Sequence, residues 1–401
     1  MPDIWTFHSA GQLVFGRGAL ARAGRLVSRL GVRRVMIVTD QHLIDAGITD
    51  SVAVSLVAEG IDAPWFAGGE AEPSLEAAER AIAYGRGLRP DAVLGLGGGS
   101  NMDLAKITAT VLAHGGTPRD YFGDDSLSGP VLPLVCVPTT AGTGSEVSAS
   151  CVLTDRQAEV KVGILSNHLR PRLAIVDPLL TLSCPAKVTA DSGIDALTHA
   201  IEAYTAVDNS QFPLAYGEKT VYQGRHPLAD ALAEKAIRLI GKNLERAVAV
   251  PTDEQAREAM ALGATLAGLA FSNVGVALVH ALEYPLGGLT HCSHGAGNGL
   301  FLPYVMRFNL REREAELAQV AEFLGVDTSG QSDAQAAHAA IERVEQLKRA
   351  IGIPARLSEL NVTAAQLPVL AEKTLAIKRI LRVNPRAVTL NDLMEILESA
   401  L

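Results

Sequence analysis

Asp195 and His199 stand four residues apart in Asp191-Ser-Gly-Ile-Asp-Ala-Leu-Thr-His-Ala-Ile-Glu202. On a helix that spacing puts both side chains on one face. Such a pair alone is an ordinary helix-surface interaction. Here Ile194, Ala196, Leu197, Ala200 and Ile201 surround it, so the carboxylate is expected to be buried, and a buried carboxylate needs a partner such as a cation. His280 closes Gly275-Val-Ala-Leu-Val-His280, and His291 and His294 follow in Gly287-Gly-Leu-Thr-His-Cys-Ser-His-Gly-Ala-Gly297. A lone buried histidine is usually a satisfied core residue. These three cluster in a chain that holds ten in all, which favours a shared task. One aspartate and three neutral imidazoles make a mixed oxygen and nitrogen donor set for a divalent metal. With one position left open, such a metal readies an alcohol for hydride loss or polarises a carbonyl.

A second chemistry is written in glycines. Gly95-Leu-Gly-Gly-Gly-Ser100 precedes a segment containing Asp103 and Lys106. Glycines at a strand-to-helix turn let backbone approach a pyrophosphate, while the helix aims its free N–H groups at the negative charge. A tight turn without a ligand fits the same residues, and the position is not that of the usual first-turn dinucleotide fingerprint. Pro138-Thr-Thr-Ala-Gly-Thr-Gly-Ser-Glu-Val147 adds the hydroxyls of Thr139, Thr140, Thr143 and Ser145. Two hydrogen-bonding loops at adjacent strand ends suit a dinucleotide better than a single phosphate. Asp40 ends another expected strand, where a carboxylate accepts from an adenosine ribose and repels a 2′-phosphate, favouring NAD. It also fits a helix N-cap before Gln41.

These groups need elements to hold them. Val35–Asp40, Ala92–Leu96 and Leu132–Val137 read as buried strands, with helices expected near Asp50–Glu59 and Met102–Ala113. Strand, turn and helix in succession imply a parallel sheet covered on both faces. After about Cys184-Pro185 the pattern changes. Thr189–Tyr204, Ala229–Ala247, Asp253–Leu278, Arg311–Leu324 and Ala334–Ala350 carry apolar residues at three- and four-residue spacing. The expectation is an α/β dinucleotide-binding domain over residues 1–184 and an all-α metal-binding domain over 185–401, with the metal and active site in the cleft between them. Asp208–Pro227, with its glycines and prolines, reads as a surface insertion.

Bulk properties narrow the function classes. At 401 residues, two domains is the natural expectation. A net charge of −9 disfavours nucleic acid as a partner. The four cysteines form no CxxC pair, as expected of neither a disulfide scaffold nor a thiolate zinc site. The N-terminal residues lack a signal-peptide pattern, and no apolar run reaches the roughly 20 residues needed to span a bilayer. A cytoplasmic protein without a membrane partner is expected.

Taken together, the motifs resemble the iron-containing (group III) alcohol dehydrogenases. The resemblance rests on Gly97-Gly-Gly-Ser-Asn-Met-Asp103 with Lys106, the loop Pro138–Glu146, Asp195-Ala-Leu-Thr-His199-Ala-Ile-Glu-Ala-Tyr204, and His280-Ala-Leu-Glu-Tyr-Pro-Leu-Gly287 leading to Ser293-His294-Gly295. It implies Asp195, His199, His280 and His294 as metal ligands, with Fe2+ the usual ion and Zn2+ or Mn2+ the alternatives. It implies NAD held at Asp40, Gly97, Gly98, Gly99, Ser100, Asp103, Thr139, Thr140, Thr143 and Ser145, with Lys161 near the nicotinamide ribose. The expected reaction is hydride transfer between NAD(H) and a small primary alcohol or aldehyde, by a homodimer or larger assembly.

The chain departs from the family pattern twice. Many members carry a histidine four residues after the third ligand, thought to relay the alcohol proton, where this chain has Tyr284. A phenol with a pKa of about 10 donates a hydrogen bond but is a poor base. His291 is the alternative relay, or else a solvated loop residue. The segment Phe212–Pro227 resembles an insertion in the hydroxyacid–oxoacid transhydrogenase branch, where Lys219 and Arg225 would meet a substrate carboxylate; two solvated loop charges is the plainer reading. A transhydrogenase with retained cofactor is therefore the alternative function. A dehydroquinate-synthase-like lyase stands third, disfavoured by the Asp195/His199 pair.

Overall fold

The computed structural model describes residues 4–158, 160–214 and 217–401. Two compact units divide the chain. One comprises His8–Cys184 with Lys219–Val221; the other comprises Pro185–Glu218 and Tyr222–Leu401 with the N-terminal residues through Phe7. Those first residues leave the half in which the sequence places them because Trp5 stacks on His226, ring centroids 4.4 Å apart.

The α/β unit contains β1 (Leu13–Phe15), β2 (Val35–Val38), β3 (Trp65–Phe66), β4 (Ala92–Gly97), β5 (Gly123–Asp124), β6 (Leu134–Pro138), β7 (Ser150–Asp155), β8 (Val160–Leu165) and β9 (Leu173–Val176). Six of them form a parallel sheet in the order β1-β9-β6-β4-β2-β3. Its helices are α1 (Ala23–Ser28), α2 (Gln41–Asp45), α3 (Ile48–Val57), α4 (Leu75–Leu88) and α5 (Gly99–His114). Val35 and Ile37 pack with Val52 and Leu56 of α3 on one face. Met36 and Val38 pack with Ala78 and Ile82 of α4 and Leu104 and Ile107 of α5 on the other. Burial of both faces is why β2 reads as an unbroken apolar run. Beside this sheet, β5, β8 and β7 make a small mixed sheet, which the strand-then-helix pattern does not foretell.

The other unit is helical: α6 (Ala186–Thr205), α7 (Pro227–Ala249), α8 (Glu254–Val274), α9 (Leu278–Thr290), α10 (His294–Asn309), α11 (Glu314–Phe323), α12 (Asp333–Ala350), α13 (Leu367–Leu375), α14 (Lys378–Leu381) and α15 (Leu390–Ala400). The single helix expected over Asp253–Leu278 is broken. It ends at Val274, Gly275 takes a left-handed φ of 117°, and α9 leaves at 102° to α8. A Cβ at residue 275 would lie 2.7 Å from Val383 Cγ2, so only glycine makes this corner. His280 therefore opens a helix instead of closing one. Among the described residues no single helix is long and apolar enough to cross a membrane.

One buried cation serves the framework. Lys348 on α12 is only 3% exposed and donates to the Leu300 carbonyl of α10 at 2.9 Å, one turn before Pro303 interrupts that helix's ladder. Burial pushes its ammonium down from 10.5 to about 8. Between those values the unfolded chain binds the proton better than the folded one, so this lysine makes stability rise with pH. Lys348→Met should remove that slope. The wild-type minus variant unfolding free energy, from denaturant titrations near pH 7 and pH 11, should change by about 3 kcal/mol. A constant difference would rule out a desolvated ammonium.

Candidate metal centre

Helix α6 is buried on every side from Gly193 to Thr205, and Asp195, Thr198, His199 and Glu202 share one of its faces, the register of side chains stacked one turn apart. Helix α10 meets it at small residues. A Cβ on Gly295 would sit 1.9 Å from the Asp191 carbonyl oxygen, and one on Gly299 would sit 2.8 Å from Ile194 Cγ1. Ser293 N-caps α10 by accepting from the Ala296 N–H, and its hydroxyl donates to Asp191 Oδ2 at 2.6 Å. The cap and the glycine contact together bring the first residue of α10, His294, against α6.

The result is a convergent set of donors. His280 Nε2 and His294 Nε2 each lie 3.9 Å from Asp195 Oδ1. One ligand atom from each of these three residues lies within 4.8 Å of the other two. His199 Nε2 is 3.0 Å from His280 Nε2, and its ring stacks on Phe271 at 4.1 Å between centroids. The structure thus brings Asp195, His280 and His294 together from α6, α9 and α10, with His199, the fourth predicted ligand, against His280. Burial by itself would push the Asp195 carboxyl up; His199, His294 and His280, helped by the Asn298 amide, outweigh it and hold its pKa below the ordinary range. Glu202 and Glu283 add two further buried carboxylates against the same histidines. Three buried carboxylates around converging imidazoles are the charge pattern that a divalent cation compensates, and the oxygen and nitrogen set suits Fe2+, Zn2+ or Mn2+.

Sequence reasoning did not assign roles to Glu202, Glu283 and Asn298. The signal was available: Glu202 and Glu283 each fall three residues after a ligand histidine, and Asn298 falls four after His294. A carboxylate at that spacing in an apolar helix faces the same buried neighbourhood as the ligand. Tyr284 is half-buried, its ring 6.3 Å from that of His294. His291 is exposed and ends α9 in a left-handed conformation with φ 54°.

The glycine turn lies in the α/β unit. Gly97 has φ 139° and Gly98 caps the start of α5. A Cβ on Gly99 would meet Thr143 Cγ2 at 2.6 Å, and Thr139 N–H donates to the Gly97 carbonyl at 3.0 Å. The two predicted loops therefore touch. Ser100 Oγ donates to the Ala71 carbonyl. Asp103 accepts from Ser145 Oγ at 2.7 Å and the Val152 N–H at 2.9 Å. Lys106, fully buried, donates to Ser145 Oγ, Ser148 Oγ and the carbonyls of Ser148 and Ser150. Asp103, Ser145 and Lys106 thus use these bonds to fasten the threonine loop to α5. Asp40 does N-cap α2, accepting from Leu43 N–H, and its other oxygen accepts from Asn101 Nδ2 at 2.7 Å. Lys161 on β8 pairs with Glu72 at 3.0 Å.

The expected carboxylate-binding role of Arg225 does not hold. Its guanidinium donates to both oxygens of Asp230 and to Glu316 Oε1 at 2.6 Å, and lies over the Tyr204 ring. Its side chain is 12% exposed, so it is neither a substrate anchor nor a solvated loop charge. With its backbone bridged to Asp208, it clasps the base of the insertion. Lys219 is exposed, and Ala215 and Tyr216 of the insertion lie outside the described residues.

Comparison with known proteins agrees with this geometry. The family description "Iron-containing alcohol dehydrogenase" matches residues 10–178, and "Fe-containing alcohol dehydrogenase family, C-terminal" matches residues 189–401. Long-chain-alcohol dehydrogenase 1 of Geobacillus thermodenitrificans is 39% identical over 96% of this chain and 94% of its own length. The NAD-dependent methanol dehydrogenase of Bacillus methanolicus is 36% identical, covering 97% of each chain. The crystal structure of a 1,3-propanediol oxidoreductase superposes with a TM-score of 0.92 at 36% identity, over 99% of this chain and 100% of that one. The chain is an enzyme, an oxidoreductase that interconverts alcohols and carbonyl compounds. It belongs to the iron-containing alcohol dehydrogenase family. These relatives do not favour the transhydrogenase alternative.

Proposed function

We propose that this enzyme transfers hydride between NAD(H) and small primary alcohols or aldehydes (short alcohols, diols or ω-hydroxy acids), with Fe2+ held by Asp195, His199, His280 and His294. The convergence of Asp195, His280 and His294 from three helices, with His199 against His280, carries the reading. When bound, the ion supplies Lewis-acid polarisation of the substrate oxygen. Gly97, Gly98, Gly99 and Ser100 present the start of α5 to the pyrophosphate, with Thr139, Thr140 and Thr143 alongside and Lys161 at the nicotinamide ribose. Asp40 keeps acceptor capacity for a ribose hydroxyl while repelling a 2′-phosphate. Tyr284, beside His294, donates a hydrogen bond to the substrate oxygen, and His291 passes the proton to solvent. The family resemblance adds a cytoplasmic homodimer or larger assembly. The similarity to the NAD-dependent methanol dehydrogenase of Bacillus methanolicus supports NAD.

The test is NADH formation by protein stripped of metal and reloaded anaerobically with Fe2+, Zn2+ or Mn2+. Butanol, 1,2-propanediol, 1,3-propanediol and 4-hydroxybutyrate serve as substrates. Metal-restored activity is expected, with NAD preferred over NADP and the preference narrowed at least about tenfold in Asp40→Ala, as expected if one charge repulsion sets it. Activity untouched by stripping, or restored by none of the three ions, would sink the proposal.

A further inference from the structure

We infer that Glu202 and Glu283 are positioning residues that fix the tautomers of His280 and His294, so that the Nε2 lone pair of each faces the metal. The inference rests on the metal reading above and adds what orients the donors. Glu202 Oε1 accepts from the Val279 N–H at 2.7 Å, and Oε2 accepts from the Ala277 N–H at 3.0 Å. These are donors at the start of α9, where backbone N–H groups lack intrahelical partners. The remaining neighbour of Oε2 is His280 Nδ1, at 2.5 Å. A carboxylate so surrounded only accepts, so the hydrogen of His280 sits on Nδ1 and the lone pair on Nε2. The opposite tautomer would set two lone pairs against each other at that distance.

One helix further on, Glu283 also sets a carboxylate oxygen against a histidine Nδ1. It is fully buried, and its Oε2 lies 2.5 Å from His294 Nδ1, a contact off the ideal hydrogen-bond line. Gly297 makes the room, since a Cβ there would approach Glu283 Cγ to 2.8 Å.

Asn298 gives an independent reading of the same tautomers. Its Nδ2 donates to Asp195 Oδ1 at 2.7 Å, which settles which end of the amide points inward. The same nitrogen lies 3.1 Å from both His280 Nε2 and His294 Nε2. One amide hydrogen goes to Asp195 Oδ1 and the other is left for the two ring nitrogens to share, an arrangement that fits lone pairs on both.

The three helices thus orient one another in sequence. A glutamate on α6 sets the α9 histidine, and a glutamate on α9 sets the α10 histidine. His199 is held differently, flat against Phe271, and in the metal-free chain its Nε2 is the nitrogen that donates to the His280 lone pair, 3.0 Å away. Carboxylates behind ligating imidazoles also raise their basicity, and losing one typically costs 10- to 100-fold in metal affinity.

Two measurements on the full-length protein test this. Long-range 1H–15N spectra of histidine-labelled, metal-free protein in alkaline buffer read the tautomers directly. Chelator competition reads zinc affinity. In the wild type, His280 and His294 should both carry hydrogen on Nδ1. Glu283→Ala should convert His294 to a tautomer mixture and weaken zinc binding about 10- to 100-fold. Glu283→Gln, which keeps an acceptor oxygen, should recover most of that loss. Nε2–H on either histidine of the wild type would overturn the inference. So would unchanged zinc affinity in a Glu283→Ala protein whose thermal unfolding shows it folded. If that variant fails to fold, the wild-type spectrum still decides. Equal zinc binding by wild type and Asp195→Ala would reject the metal reading instead, leaving the tautomer result to stand on its own.

Discussion

An Asp195→Ala enzyme is expected to lose alcohol oxidation by a factor of a thousand or more in kcat/KM. In the proposed set Asp195 is the oxygen donor, and its Oδ1 lies 3.9 Å from His280 Nε2 and from His294 Nε2. Alanine removes the charge that those imidazoles face, at a position only 2% exposed. Losing roughly 4 kcal/mol of Lewis-acid stabilisation corresponds to about a thousandfold in rate. The measurement pairs kcat/KM for a primary alcohol with metal content by elemental analysis. Metal content and rate should fall together. A variant that keeps its metal and stays within tenfold of wild-type rate would remove Asp195 from the mechanism.

Gly295→Ala should rank close behind, through geometry alone. The new methyl would lie 1.9 Å from the Asp191 carbonyl oxygen, and neither partner is the end of a flexible side chain. Helix α10 must move away from α6, carrying His294 with it and straining the Ser293 to Asp191 bond. Overpacking of this kind costs about 1–3 kcal/mol. The function suffers more than the fold, because a displacement near 1 Å at a catalytic group is worth on the order of a hundredfold. A melting temperature lowered by several degrees, with metal affinity and kcat/KM reduced more than tenfold, is the expected pair of results. Wild-type metal affinity would show that the α6–α10 contact does not place His294.

Much of this site is legible in the amino-acid sequence. Asp195 and His199 announce themselves because helical spacing is a local rule, and the glycine turn because strand, turn and helix follow one another in the chain. What escaped the reading depends on meetings between distant segments. The break at Gly275 is invisible to periodicity, since α8 and α9 are both apolar and the pattern runs through the corner. Glu202 looks like one more polar residue until its oxygens are seen on the first N–H groups of α9. Arg225 has the right chemistry for a substrate carboxylate, and only its partners Asp230 and Glu316 show that this chemistry is already spent. Asp40 illustrates a third case, in which one carboxylate caps α2 and still keeps acceptor capacity.

The proposed donors sit on α6 and, much later in the chain, on the consecutive helices α9 and α10, and Glu202 ties α6 to the start of α9. An ion held there binds the folded chain and has no comparable site in the unfolded one. Folding and metal supply are then a single equilibrium: each tenfold rise in free ion above its dissociation constant deepens the native state by about 1.4 kcal/mol. In a cell short of that ion, chains without it would be both inactive and less stable, and so more exposed to proteolysis.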